Sequence, residues 1–304
     1  MNAIYFILKY KNPFYFGVGT QADRSVVKLQ MKPNEPNMTI NDPRYLRKFQ
    51  YRDPDNLNSR IAIHILFSTA RQDWADFVFE QLNPAAGEEI LELGCGPAAQ
   101  WQSSLKRLPE GARLTLSDLS VGMLAGARKA LADYRGFFLL AQEAQTLAVP
   151  EKVFDAVIAN HMLYHVPSPA RAIREAARVL KPGGRLVAAT NGTAHMLELD
   201  ILLREFDPRF EAETAMSRPF SLENGWEQFH AFFKNVELTP YASDLWVTDA
   251  RRLSDYVYST PAGQNCFSKE QFGEMTAFFT RRINRDGGIF IRKSTGIFRA
   301  TCPK

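Results

Sequence analysis

The spacing of apolar side chains changes twice along this chain, and those changes divide it. Over residues 44–82, Ile61, Ile65, Phe67, Trp74, Phe77 and Val78 recur in steps of three and four, the period of helices with one buried face. Ser68 or Thr69 is available as a cap near a break, and Asn83-Pro84-Ala85-Ala86-Gly87 closes the segment. Short apolar runs then take over at 89–93, 113–117, 137–140, 154–159 and 185–190, most of them followed by turn residues and a helix-like stretch. One such stretch is 121–134. The best punctuated carries Ser168 as a cap, Pro169 in the first turn, an Ala172, Ile173, Ala176, Val179, Leu180 stripe, and Lys181-Pro182-Gly183-Gly184 as a stop. Five strands alternating with helices predict a doubly wound, mostly parallel sheet. After Asn191 helical spacing continues to about 234. Two strand-like runs follow at 236–247 and 288–301, with helices predicted between them at 253–258 and 269–284.

Composition narrows the class. With 304 residues, 45% apolar and 23% charged, the chain is globular, neither disordered nor fibrous. Residues 1–43 differ from the rest, with prolines at 13, 33, 36 and 43 and methionines at 31 and 38. They read as a loosely ordered leader, with Met38 an equally good start; the alternative is a lid using Tyr5, Phe6, Phe14, Tyr15 and Phe16. Cys95, Cys266 and Cys302 stand far apart, which suits a reducing cytoplasm and gives neither a disulfide framework nor a CxxC metal pair. No apolar run approaches the roughly 20 residues of a membrane span. The net charge of +4 gathers at the ends: 1–60 hold ten basic against five acidic residues, and 281–304 hold seven against one. The acidic middle argues against a nucleic-acid partner, and no His, Cys, Asp or Glu group has metal-ligand spacing.

The strongest local signal is Glu89-Ile90-Leu91-Glu92-Leu93-Gly94-Cys95-Gly96-Pro97, a strand entering two glycines and then a helix. Glycine there lets a ligand lie on the backbone and permits positive φ. Gly94-x-Gly96-x-x-Ala99 also fits a dinucleotide fingerprint. A diphosphate wants free N–H groups and positive potential, whereas Pro97 donates nothing and Glu92 is acidic. A cationic ligand head fits better. Asp118, at the end of the second strand, can accept from both hydroxyls of a ribose or can cap the helix that starts beyond Ser120.

Together with Glu143-Ala144 before Leu147, with Phe154-Asp155-Ala156-Val157-Ile158-Ala159-Asn160, and with Arg178-Val179-Leu180-Lys181-Pro182-Gly183-Gly184, these motifs resemble the class I S-adenosylmethionine-dependent methyltransferases. The likeness is strongest to the small-molecule group that includes the quinone-biosynthesis enzymes. It implies a Rossmann-like seven-stranded sheet with an antiparallel last strand, plus N-terminal and inserted helices. The implied layout is N-terminal helices at 44–86, a cofactor-binding core at 87–190, a helical substrate-side segment at 191–235 and the last strands and helices at 236–304. S-adenosyl-L-methionine is the implied cofactor. Gly94, Cys95 and Gly96 would pass its methionine part with Glu92 near the ammonium. Asp118 would hold the ribose, Leu119 would pack on adenine, and Asn160 would close the pocket near the methyl. Glu143 stands where the family usually has Asp, to accept from the adenine amino group, with the Ala144 N–H aimed at a ring nitrogen.

Methyl transfer needs a base only if the acceptor must lose a proton. His161, His165 and His195 are the candidates, as bases or positioning groups, with His165 reading more readily as a structural hydrogen-bonding residue. His64 and His230 read as packing or surface residues, Cys95 as a small packed side chain, and Trp74 and Trp101 as either cofactor wall or core. Aromatic and leucine-rich segments at 44–82 and 191–234 predict an apolar, aromatic or lipid-like small acceptor. The competing readings are a sensor or scaffold that binds the cofactor without catalysis, and a nicotinamide-dependent dehydrogenase. The oligomeric state is left open.

Overall fold

The structure, a computed structural model, describes residues 42, 44, 46, 50–52, 55–134, 136–211 and 219–304. The leader expected over 1–43, with its lid alternative, lies outside the described residues apart from Asp42.

The five early strands are Glu89–Leu93 (β1), Arg113–Asp118 (β2), Phe137–Ala141 (β3), Phe154–Asn160 (β4) and Leu180–Asn191 (β5). They pair in parallel in the order β3-β2-β1-β4-β5, and the sheet continues through Thr295–Pro303 to Phe233–Pro240. Thr295–Pro303 runs antiparallel to both its neighbours, so the last strand in sequence sits inside the sheet, one place from its edge. Alternate side chains enter two different cores. Leu91, Leu93, Val157, Ala159, Leu186 and Ala188 face one way, and Ile90, Ala156, Ile158, Val187 and Ala189 the other. A sheet buried on both faces explains the continuous apolar runs. The helix Pro169–Val179 covers one face with Ala172, Ile173, Ala176 and Val179 buried, while Trp74–Leu82, Ala99–Ser104 and Val121–Ala130 cover the other.

Several local expectations are corrected. Ser168 occupies the cap position of Pro169–Val179, yet its side chain does not cap. Asp73, accepting from the Ala75 N–H, starts Trp74–Leu82. Ser68 and Thr69 instead tie the chain to Ser243 and Asp244. Lys181-Pro182-Gly183-Gly184 lies within β5, where its register against β4 shifts. Between Asn191 and residue 234 the described helices are Leu197–Phe206 and Gly225–His230, and the following strand begins at Phe233.

Each late strand-like run breaks in two. The first becomes Phe233–Pro240 (β6) and Leu245–Val247 (β7), and the second Ile289–Ile291 (β8) and Thr295–Pro303 (β9). β7 and β8 form a separate two-stranded ladder. Between them stand Ala250–Ser259, Pro261–Cys266 and Phe272–Asp286. Leu253, Val257, Met275, Phe279, Ile289 and Ile291 pack with Ile63 of the helix Asp55–Leu66 and with Leu199 and Leu203, making a third core. The insertion between β6 and β9 is therefore a cap joined to an N-terminal helix. Among the described residues no helix is long and apolar enough to cross a membrane.

Candidate active site

A cavity of about 1140 Å³ opens at the carboxyl ends of the parallel strands, and both the sheet edge and the cap line it. It includes the point between β1 and β4 where strand order reverses, the place open α/β sheets use for ligands. Glu92, Gly94, Cys95, Gly96, Asp118, Leu119, Glu143, Ala144, Asn160, His161, His165 and His195 all line it.

At one end is the turn after β1. Gly94 and Gly96 have φ of +64° and +54°. A Cβ on Gly94 would lie 2.8 Å from Met162 Cβ, so conformation and space both demand glycine there, whereas at Gly96 the nearest atom is the Leu57 Cδ2 tip at 3.1 Å and the positive φ is what favours glycine. The Cys95 N–H donates to the Ser117 carbonyl, the Gly96 N–H to Asp118 Oδ2 at 2.9 Å, and the Ala98 N–H to the Cys95 carbonyl. With Pro97 between them, residues 95–98 keep no N–H aimed at a diphosphate, and two carboxyl groups adjoin the turn.

Asp118 also accepts from the Ser120 N–H at 2.8 Å, while Ser120 itself caps Val121–Ala130. Burial raises the Asp118 carboxyl, and the N–H groups of Ser120, Gly96 and Leu119 oppose that rise. Glu92, only 2% exposed, accepts from the indole N–H of the fully buried Trp101 at 2.5 Å. Burial pushes Glu92 up to about 7, against the lowering pull of Trp101. Trp101 is thus core that orients Glu92, whereas Trp74 lines the cavity. Burial also raises the Cys95 thiol well above its ordinary value, so it stays protonated and is no nucleophile. Glu143 Oε1 accepts from Gln145 Nε2. Among the described residues, Asn160 Oδ1 and Gln142 Nε2 are buried in this wall with no hydrogen-bond partner, as polar groups awaiting a ligand would be. Acidic groups, a glycine cradle and unmatched polar atoms together fit an adenosine carrying a cationic amino-acid tail.

Tyr51 ties the N-terminal segment to this end. Its carbonyl accepts from Ser120 Oγ, and its hydroxyl lies 2.8 Å from His165 Nε2. Arg60 lies beside the Tyr51 ring, 5.3 Å from its centroid. It lines the cavity with no carboxylate in ion-pair reach among the described residues.

At the other end, residues following β4, β5 and β6 meet those preceding β9. His161 has φ +54°, and its ring stands 5.0 Å from Trp74, which stands 4.9 Å from Tyr241. Lys293 Nζ lies 5.2 Å from the centre of Tyr241 and donates to Ser243 Oγ at 2.9 Å. The Ser294 N–H donates to His195 Nδ1 at 3.3 Å, and Thr295 Oγ1 lies 3.2 Å from the same nitrogen. His64 is a cavity residue, 6.1 Å from the His195 ring, which corrects its reading as packing or surface. Burial, then the charges of Lys293 and His161, push it down to about 3. Sequence reading missed Lys293, Tyr241, Tyr256 and Thr295, because the cap insertion brings them here and no motif flags them. Among the described residues no cluster of His, Cys, Asp and Glu could hold a metal ion.

A family of the description "Methyltransferase domain" matches residues 91–188. The ubiquinone biosynthesis O-methyltransferase of Xanthomonas oryzae pv. oryzae is 33% identical over 174 residues, 55% of this chain and 64% of that protein. The demethylmenaquinone methyltransferase of Clavibacter sepedonicus is 38% identical over 117 residues, 38% of this chain and 46% of that protein. The chain thus spans less than two thirds of these relatives' length. Among solved structures, the Haemonchus contortus phosphoethanolamine N-methyltransferase 2 in complex with S-adenosyl-L-methionine aligns with a TM-score of 0.55 at 16% identity. That alignment covers 88% of this chain and 61% of that one. Residues 91–188 thus match the methyltransferase-domain family, and the sheet built around them has the fold seen in the S-adenosylmethionine-dependent methyltransferase structures it resembles.

Proposed function

We propose that the protein transfers a methyl group from S-adenosylmethionine to a small, apolar or aromatic organic acceptor. The observation that carries this reading is one continuous cavity. It joins the Gly94–Gly96 turn, Asp118 and Asn160 to an aromatic and histidine-lined chamber under the cap. When bound, the cofactor supplies an electrophilic methyl on a positively charged sulfur. Asp118 would accept from its ribose hydroxyls, Glu92 would face its ammonium, and Leu119, Glu143 and Ala144 would surround adenine. Arg60 is placed to meet a carboxylate.

The protein's part is then to orient the acceptor and exclude water, which in favourable cases is worth roughly 7–11 kcal/mol. Trp74, Tyr241 and His161 provide an aromatic wall for that purpose, Tyr241 standing edge-on to the Trp74 ring. The acceptor atom's lone pair forms the new bond to the methyl carbon while the carbon–sulfur pair returns to sulfur. Any acceptor proton would pass to His161, which stands beside Asn160 at the end of β4. His165, held by Tyr51, acts as a positioning residue, and His195, fixed by the Ser294 N–H, is a second one.

The test is calorimetric titration with S-adenosylhomocysteine and with NAD. The former is expected to bind and NAD not. D118A is expected to weaken S-adenosylhomocysteine about 100-fold through the lost charged acceptor. Binding of NAD alone, or unchanged affinity in D118A, would overturn the assignment. Tight binding without methylation of any compound in a cell extract supplied with labelled cofactor would instead indicate a sensor.

A further inference from the structure

We propose that the acceptor is an anion, an apolar aromatic molecule bearing a carboxylate, and that Lys293 is the residue that selects it. The inference rests on the methyl-transfer reading and names its substrate class.

Lys293 comes from the short link Arg292–Ser294 between β8 and β9, and it lines the chamber opposite the cofactor turn. Its ammonium makes one hydrogen bond, to Ser243 Oγ, and lies over the Tyr241 ring. Among the described residues no carboxylate stands within ion-pair distance of its ammonium; Asp244, whose side chain accepts from the Lys293 backbone N–H, acts on it only from further away. An ammonium has three donors, so two remain for a ligand. The surrounding groups also tolerate an oxyanion: His64 is held neutral with its Nδ1 buried and unpartnered, and the His195 ring lies beside it. Of the cavity's carboxylates, Glu92 and Asp118 adjoin the β1 turn, while Asp73 beside Trp74 and Asp200 on Leu197–Phe206 also line it, none of them in an ion pair with Lys293. The wall beside Lys293 is Tyr241 stacked edge-on against Trp74, which in turn faces His161, a surface that takes a planar ring. Burial pulls Lys293 down to about 8 against the opposing charge of Asp244, so the desolvated ammonium is only partly compensated by counter-charge. An aryl carboxylate would supply that charge while its ring lay on the aromatic wall.

The experiment is calorimetry on the full chain saturated with S-adenosylhomocysteine, using 2-naphthoate and its neutral isostere 2-naphthamide at pH 7. The acid is expected to bind at least about tenfold tighter than the amide, the scale of a partly desolvated charge pair. K293M should erase that preference while leaving the amide within about twofold, and K293R should restore most of it. Equal affinity for acid and amide, a preference surviving in K293M, or no binding of the acid below 1 mM would each overturn the proposal. Since S-adenosylhomocysteine is titrated first, a failure at that step falls on the methyl-transfer reading, and a failure at the second step falls on the anionic acceptor alone. Should K293M fail to bind S-adenosylhomocysteine, the acid-to-amide comparison in the unaltered protein and in K293R decides.

Discussion

Glu92 shows how one side chain's surroundings set its behaviour. It is nearly sealed from water, bonded to Trp101, and shares its corner with Asp118 and Cys95, so its carboxyl holds its proton up to about pH 7. Below that pH the group is neutral and draws no ammonium toward it; above, it carries a full charge in a poorly screened place. Affinity for S-adenosylhomocysteine is therefore expected to rise about tenfold between pH 6 and 8 and then level, while E92Q flattens the profile. A pH-independent affinity in the unaltered protein would contradict the assigned ammonium site. The same raised value makes the ligand-free fold less stable as pH rises from the ordinary carboxyl range to about 7. Over that window the folded state holds a proton that the unfolded chain has released. Denaturant titrations at pH 5 and 7 would show that loss, reduced in E92Q. Most of this was hidden in the sequence, which shows an acidic residue two places before a glycine but neither its burial nor its indole partner.

At the scale of the element, the turn after β1 is fixed by space as much as by conformation. Gly94 and Gly183 both have positive φ, at +64° and +83°, but an added methyl at Gly183 meets nothing within 4 Å, whereas at Gly94 it strikes Met162. Alanine at either position should cost roughly 1–2 kcal/mol from the left-handed backbone alone. G183A is thus expected to lower the Tm by roughly 2–6 °C and keep full S-adenosylhomocysteine affinity. G94A should lower the Tm further and lose most of that affinity. Equal ligand affinity in the two variants would show that the turn does not cradle the cofactor. The motif itself was legible: strand, paired glycines and proline stand in line in the chain. What forbids the methyl is Met162, beyond β4, and only the fold places it there.

Across the whole molecule, three cores divide the labour. Two sandwich the sheet, and the third joins the cap insertion to Asp55–Leu66 and Leu197–Phe206. Phe279, fully buried in the third core, anchors the cap. F279A is expected to cost about 3–5 kcal/mol locally. Amide hydrogen exchange should then speed up over 250–286 while β1, β4 and β5 stay protected, because sub-global units open separately. Loss of protection throughout the sheet would show that cap and sheet unfold as one. The cap is also the part least visible from sequence. The runs 236–247 and 288–301 keep an extended pattern through the points where the chain leaves the large sheet, at Tyr241 to Asp244 and Arg292 to Ser294. Apolar periodicity records which side of an element is buried, not which partner buries it.

That distinction sets what the sequence by itself determined and what the tertiary structure decided. Local spacing was enough for the doubly wound sheet, the Gly94–Gly96 turn, and Asp118 and Asn160 at strand ends, because strands of a parallel sheet carry their ligand residues immediately past their own carboxyl ends. The chamber under the cap was decided only by the fold. His64, Tyr241, Tyr256 and Lys293 come from separate parts of the chain and meet because a helix from before the sheet and an insertion near its end share a core. Side chains so far apart in sequence become neighbours through packing, which leaves no periodic trace in the chain.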